Sequence, residues 1–275
     1  MGESEVVVVT GASGGIGAAL ALRLAQEGRR LVLAARRGDE LRQVADEAER
    51  RGAPRALAVE TDVTRRAQVE RLRDEALAAF GRFDAWVNNA GRGISRPVLE
   101  LSDEDVDEMI AVNVKSALYG MQAAVPHMVA RGSGHVVNVS SFLGRVPLVS
   151  VRSAYSAAKA ALNSLTASLR AELRAYPGIQ VSLVMPGVVT TDFARNVRGG
   201  PPAVTGVPAV AGAPPARTGG PASPGMSQTA EEVGEAIAQL LRHPVPELYT
   251  NPASAELARQ YFADVAAFEE RAARR

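Results

Sequence analysis

Tyr155 and Lys159, in the run YSAAK, stand four residues apart with only Ser156, Ala157 and Ala158 between them. Four residues is about one turn of α-helix, so a phenol and an ammonium would share one face. Of the 31 basic residues only Lys115 and Lys159 are lysines; the rest are arginines. By itself the pair fits two readings, a solvated surface couple or two members of one site. A second stretch, TGASGGIG (10–17), offers different chemistry. Glycines at 11, 15 and 17 permit a tight turn with positive φ and a close approach of backbone to a ligand. If a helix starts there, its first amides face an anion such as a pyrophosphate. The spacing is G-x-x-x-G-x-G, not G-x-G-x-x-G. No Gly-Lys-Ser/Thr follows, which disfavours a P-loop nucleotidase.

Other chemistries are excluded or weakened by composition. There are no cysteines, so disulfides, thiolate metal sites and thiol nucleophiles are absent. His127, His135 and His243 are scattered without metal-ligand spacing and read as structural or surface residues. A formal charge of +1 gives no argument for nucleic acid or an acidic surface. The N-terminal MGESEVVVVT has no basic region ahead of an apolar core, and Val6 stands where a myristoylation pattern wants Ser or Thr. No apolar run approaches the ~20 residues of a membrane span. A soluble cytoplasmic protein, without a transmembrane segment, is the expectation.

These stretches sit in a chain that alternates short β-branched runs with amphipathic ones. Strands are expected at 6–10, 31–35, 55–60, from 84 to about 88, at 135–141, 179–185 and 247–250. Helices are expected from Gly15 to about Glu27, from the end of the second strand to about Arg51, over 65–80, and from about Ser153 to Ala175. Ser102 and Asp105 form a capping box that opens a helix running to about Ala130. Strands apolar throughout, each followed by a helix, imply an α/β fold: a doubly wound parallel sheet of about seven strands covered on both faces. No domain boundary is visible, so residues 1–275 read as one domain. The stretch 195–228 is dominated by Gly, Pro, Ala and Ser and cannot hold a helix or a central strand. It reads as a flexible loop, with an active-site lid as the alternative for its two ends. Helix resumes near Thr229, and residues 252–275 read as one final helix.

The tip of the second strand bears on which dinucleotide would bind. A protein that binds NAD usually offers a carboxylate at this strand's tip to the ribose 2′-hydroxyl. Here the tip reads Ala34-Ala35-Arg36-Arg37. Guanidinium groups pair with a 2′-phosphate, which a carboxylate would repel. NADP(H) is therefore preferred, with NAD(H) as the alternative. Asp39 falls beyond the arginines, at the next helix's start.

With TGASGGIG, NNAG (88–91), Asn113 in VNV, VNVSS (137–141), YSAAK and PGVVTTDF (186–193) in this order, the chain resembles the short-chain dehydrogenase/reductase family, in its single-domain branch. The resemblance covers about Val6 to Phe193. It implies a Rossmann-like fold and hydride transfer between NADP(H) and a carbonyl or secondary alcohol. Tyr155 would be the general acid/base. A free phenol has a pKa of about 10, and a neighbouring ammonium would lower it. Lys159 would supply that charge and grip the ribose. Ser141 would hold the substrate oxygen, although it lies fourteen residues before Tyr155, one more than is usual in the family. Ser140 would be a strand-end hydroxyl bonded to backbone. Asn113 would anchor a water that relays protons to Lys159; the alternative is a buried amide that satisfies a helix irregularity.

The same resemblance assigns the cofactor contacts. Gly11, Ser13, Gly15, Ile16 and Gly17 form the phosphate loop, and Arg36 with Arg37 meets the 2′-phosphate. Gly14 replaces a basic residue found in some NADP-using members, leaving Arg36 more of the work. Asp62 and Val63 would meet the adenine, Thr64 being the expected cap of the next helix. Asn89, Ala90 and Gly91 would line the cofactor with backbone. Pro186, Gly187, Val189 and Thr191 would lie at the nicotinamide. A homodimer or homotetramer is also implied. Two other readings compete: a non-catalytic dinucleotide-binding regulator, and a sugar-nucleotide epimerase-type enzyme. The first would more typically lack Tyr155, Lys159 or Ser141. The second would have a separate C-terminal domain, for which 195–228 is a poor candidate.

Overall fold

A computed structural model of the chain describes residues 4–190 and 227–273. Thr191, and the loop 195–228 except for Ser227 and Gln228, lie outside the described residues. Strands follow the apolar runs: β1 (Val6–Thr10), β2 (Arg30–Ala35), β3 (Ala56–Glu60), β4 (Ala85–Asn88), β5 (Gly134–Val139) and β6 (Ile179–Met185). Two short strands, β7 (Val188–Thr190) and β8 (Ser227–Thr229), pair with each other outside the main sheet, and β9 (Glu247–Tyr249) returns to it. The seven-stranded sheet is parallel throughout, in the order β3-β2-β1-β4-β5-β6-β9. The order reverses between β1 and β4. In open α/β sheets that crevice, at the carboxyl ends of the strands, is where ligands bind.

Every residue of β1 is buried, and its alternation divides the core between the two faces of the sheet. Val7 and Val9 pack under α1 (Gly15–Gln26), α2 (Gly38–Arg50) and a later helix through Leu20, Leu24, Leu41, Val233 and Ile237. Val6 and Val8 face α3 (Arg66–Phe80) and the helices that follow, through Val69, Leu72, Met121 and Met128. This two-sided burial explains why the strands read as continuous apolar runs without period-two alternation.

The capping box forms as expected. Ser102 takes the Asp105 amide, and the Asp105 carboxylate takes the Ser102 amide. The expected single helix beyond it is in three parts: α4 (Asp103–Ile110), a π-helical turn at Ala111–Lys115, and α5 (Ser116–Arg131). The helix α6 (Ser153–Glu172) ends in a 3₁₀ turn before β6, and α7 (Ala230–Arg242) starts from a second capping box, Thr229 with Glu232. The tail is two helices, α8 (Pro252–Ala263) and α9 (Val265–Ala273), where the sequence reading had one. Asp264 divides them: its backbone is extended and its carboxylate accepts the Ala267 amide, so it caps α9. No helix among the described residues is long and apolar enough to cross a membrane.

Candidate active site

The glycine loop is folded tightly against the segment after β4. Gly11 has φ 68°, and a Cβ there would lie 2.9 Å from Ala90 Cα. A Cβ on Gly17 would lie 2.3 Å from the Gly11 carbonyl oxygen and 2.7 Å from Asn89 Nδ2. Any side chain at either position would push the two segments apart. Thr10, which the sequence reading passed over, locks them together. Its Oγ1 accepts the Asn89 amide at 3.0 Å and the Ala90 amide at 3.1 Å, and donates to the Val87 carbonyl. Asn89 Nδ2 returns a bond to the Thr10 carbonyl. Helix α1 begins after Gly14, which offers no side-chain acceptor to the first-turn amides at Gly15, Ile16 and Gly17. A helix start of this kind suits a phosphate.

A cleft of about 310 Å³ opens beside this loop, lined by Gly11, Ser13, Arg36, Arg37, Asp62, Val63, Ala90 and Gly91, with Thr61, Thr64, Arg92 and Val112. A shallower hollow of about 580 Å³ continues it past Arg36 and Asp62 to Glu60, Gln68 and Arg71. Arg37 donates from Nε to Ser13 Oγ and from Nη2 to the Ser13 carbonyl, both at 3.2 Å, and leans on Glu40. Arg36 is exposed at the cleft's edge. Burial pushes the Asp62 carboxyl up, but the Thr64 hydroxyl and amide, with the charges of Arg36 and Arg65, outweigh it and hold Asp62 below its ordinary range. Thr64 is thus bound to Asp62 and does not cap α3, whose N-cap is Arg65. Asp39 stands in the first turn of α2, paired with Arg42.

Tyr155, Lys159, Ser141 and Asn113 come together at the next stretch of the same sheet edge, exposed by only 8%, 3%, 7% and 1%. Helix α6 carries the first two on one face, with the Lys159 ammonium 5.7 Å from the centre of the Tyr155 ring. The ammonium donates to the Val139 carbonyl at 2.9 Å. Burial pulls its pKa down to about 8. Burial likewise raises the Tyr155 phenol, opposed by a hydrogen bond with the Ser141 hydroxyl and by the charge of Arg152. The expected lowering of the phenol therefore does not appear in the chain by itself; desolvation is the larger effect here.

The two serines that close β5 diverge. Ser141 accepts the Leu143 amide and faces Tyr155. Ser140 turns into the interior, where its hydroxyl donates to Asn163 Oδ1 at 2.5 Å, and Asn163 in turn donates to the Gly144 carbonyl. Ser140 was read as bonded to backbone; its short bond is to a side chain, with the Lys159 carbonyl a longer contact at 3.3 Å.

Asn113 sits within the π turn. Its amide donates to the carbonyls of Arg92 at 2.9 Å and Met109 at 3.1 Å, and its oxygen accepts the Arg92 amide. A Cβ on Gly91 would come within 3.0 Å of that oxygen and 3.5 Å of the Lys159 ammonium, so the glycine leaves a cradle beside both groups. Behind the site runs a buried polar chain that sequence reasoning missed. Asn88 Nδ2 donates to Asn138 Oδ1, Asn138 to Thr166 and Thr166 to the Leu162 carbonyl, which ties β4, β5 and α6 together. Its signal was one asparagine in each of two apolar strands.

Pro186 and Gly187 follow β6, and Val189 lies in β7; none of them lines the cleft beside the glycine loop. The Pro186 carbonyl takes the Phe142 amide, which anchors the turn after Ser141. Among the described residues no group of three histidines or carboxylates could hold a metal.

Residues 5–201 match the family model described as short chain dehydrogenase. The chain is 38% identical over 187 residues to an uncharacterized oxidoreductase of Staphylococcus aureus (strain N315), covering 68% of this chain and 79% of that protein. Among solved structures it is similar to a short-chain dehydrogenase/reductase from Burkholderia phymatum in complex with NAD (TM-score 0.81, 28% identity, 96% of this chain and 95% of the other). It is also similar to an alcohol dehydrogenase from the archaeon Thermococcus sibiricus complexed with 5-hydroxy-NADP (TM-score 0.74, 30% identity, 90% and 96%). Fold, motif order and these likenesses agree: the chain is an oxidoreductase that belongs to the short-chain dehydrogenase/reductase family.

Proposed function

We propose that the protein interconverts a carbonyl compound and its secondary alcohol with NADP(H), Tyr155 exchanging the proton. The observation that carries this reading is the convergence of a buried phenol, a serine hydroxyl bonded to it and an ammonium beside the glycine-lined cleft. The residues fit a nicotinamide dinucleotide. Gly11, Gly17 and the amides that open α1 suit its pyrophosphate, and the relatives' complexes with NAD and with 5-hydroxy-NADP are consistent with that use. Arg36 and Arg37 favour the 2′-phosphorylated form. Asp62 and Val63 would border the adenine, and Pro186, Gly187, Val189 and Thr191 the nicotinamide.

When bound, the cofactor supplies the hydride that a carbonyl carbon takes up, or accepts it from the alcohol. The chain's own task is the proton. Tyr155, kept protonated by burial, can give its proton to the carbonyl oxygen while Ser141 holds that oxygen. Lys159 brings one positive charge to the place where the phenolate forms, and its remaining N–H groups suit a ribose diol. Asn113 fixes the π turn and Arg92 next to Gly91, and so shapes the site's floor. The relationship to the family also supports a homodimer or homotetramer, which light scattering would measure.

The test is a screen of ketones and alcohols that follows NADPH and NADH absorbance side by side, with Tyr155→Phe as the control. Wild-type protein should turn over at least one compound, faster with NADPH. Tyr155→Phe should lose about 10²–10⁴-fold in kcat while NADPH binding stays within twofold. A variant that keeps more than a tenth of the rate would remove Tyr155 from the proton transfer.

A further inference from the structure

Four arginines stand in the segments that follow β4 and β5 on the way to the site, Arg92, Arg96, Arg145 and Arg152, and three of them are paired. Arg92 is bound to Glu108, Arg96 reaches Asp105 at 3.3 Å, and Arg145 reaches Glu247 at 2.7 Å. Arg152 differs. It is the N-cap residue of α6, one turn before Tyr155, and its side chain is half-buried. Its guanidinium donates from Nη1 to the Ile94 carbonyl at 3.0 Å, and among the described residues no carboxylate pairs with it.

That bond is not needed to join the two loops. The Arg96 amide already donates to the Val151 carbonyl at 2.8 Å, and the Ser153 hydroxyl to the Arg96 carbonyl at 3.0 Å. A half-buried cation without a counter-charge costs free energy that an apolar or neutral residue would not cost. Its field falls on the proton donor: Arg152 and Tyr155 act on each other through space. A guanidinium has five N–H donors in a fork that fits a carboxylate.

Building on the proposed carbonyl chemistry, we infer that Arg152 is the receptor for a carboxylate on the substrate, which makes the substrate an oxo acid or the corresponding hydroxy acid. Arg152 stands three residues before Tyr155, so acids with a few carbons between carboxylate and carbonyl are the lengths to test. The residue determines specificity: it selects the substrate and leaves the proton transfer to Tyr155.

The experiment uses the full chain saturated with NADPH or NADP⁺ and a matched series, 3-oxobutanoate, 4-oxopentanoate and 5-oxohexanoate with their methyl esters. Binding is read by calorimetry in Tyr155→Phe, where no turnover interferes, and kcat and KM are read in the wild type. At least one acid should bind ten times or more tightly than its ester. That ratio should fall at least tenfold in Arg152→Gln and recover in part in Arg152→Lys, with KM carrying the change. Equal binding of acid and ester throughout the series would overturn the assignment. So would an Arg152→Gln effect that falls equally on acid and ester through kcat and the alkaline limb of the pH profile, because the arginine would then act on Tyr155 alone. Turnover of the esters is a separate readout: if they react while the acids show no advantage, the carbonyl chemistry stands and the carboxylate receptor does not.

Discussion

Lys159 and Val139 are joined by a 2.9 Å hydrogen bond from the ammonium to the carbonyl that ends β5, and no described carboxylate accompanies the charge into the interior. Burial brings the amine to about 8 from an ordinary value of 10.5. The folded chain then holds fewer protons than the unfolded chain between those values. Stability should rise as pH climbs from about 8 to about 10.5, and below 8 the buried charge is a standing cost. Lys159→Met should therefore stabilise the protein without cofactor at pH 7 by about 1–3 kcal/mol while abolishing turnover. The gain should shrink by pH 10. Thermal melts at the two pH values measure it, and a variant less stable than wild type at pH 7 would show that the Val139 bond outweighs desolvation.

The same region shows what could be read from the sequence. YSAAK placed Tyr155 and Lys159 on one helical face because helix period is local information, and VVVVT announced a strand buried on both sides. At Asn113 a helix irregularity was only the alternative reading, and its form, the π turn at Ala111–Lys115, was not legible. It is fixed by Asn113 bonding to Arg92, a partner 21 positions away that no periodicity reveals. The resemblance chose Ser141 over Ser140 to stand with Tyr155, but the sequence could not show that Ser140 would turn toward Asn163, because that depends on how β5 meets α6. The break at Asp264 was different: an aspartate three residues before the amide it accepts is a local cap signal, hidden by an apolar period that continues across it. Arg152 was visible as a charge; its lack of a carboxylate partner was not.

Cofactor choice follows from the proposed role of Arg36. It stands exposed at the cleft's edge, whereas Arg37 is engaged with Ser13 and Glu40. A charge-assisted bond to a phosphate contributes about 1.5–3 kcal/mol, so Arg36→Ala should raise the Kd for NADPH at least tenfold and that for NADH less than about threefold. Fluorescence titration of both reduced cofactors separates the cases. Equal losses would place Arg36 against the shared part of the dinucleotide.

His135 gives the fold an acid limit. The Ser182 hydroxyl has one hydrogen and uses it on the Val245 carbonyl at 2.6 Å, so the 2.9 Å contact with His135 must be donated by its Nε2–H. Nδ1 is left buried without a partner among the described residues. Burial lowers the imidazole to about 4 from 6.5. The unfolded chain protonates first, so stability falls as pH drops from about 6.5 to about 4, by up to about 3 kcal/mol. Urea unfolding at pH 7 and pH 4.5 should show that loss in the wild type and a much smaller one in His135→Gln. Parallel losses in both proteins would assign the acid sensitivity to other groups.

Neighbouring serines offer the sharpest separation of structure from chemistry. Ser140 ties β5 to α6 through Asn163, and that residue reaches the turn at Gly144. Ser141 touches Tyr155. Ser140→Ala removes a buried hydrogen bond and leaves Asn163 Oδ1 without its donor, which costs about 1–3 kcal/mol of stability. Ser141→Ala removes a group proposed to hold the reacting oxygen, which costs about 10²–10³-fold in kcat. The first variant should melt earlier with a kcat within severalfold of wild type. The second loses the acceptor of the Leu143 amide and should melt modestly earlier as well, but with kcat collapsed and cofactor binding retained, so kcat separates the two. If the two phenotypes were exchanged, the oxygen-holding role would pass to Ser140, fifteen residues before Tyr155 and two more than is usual in the family.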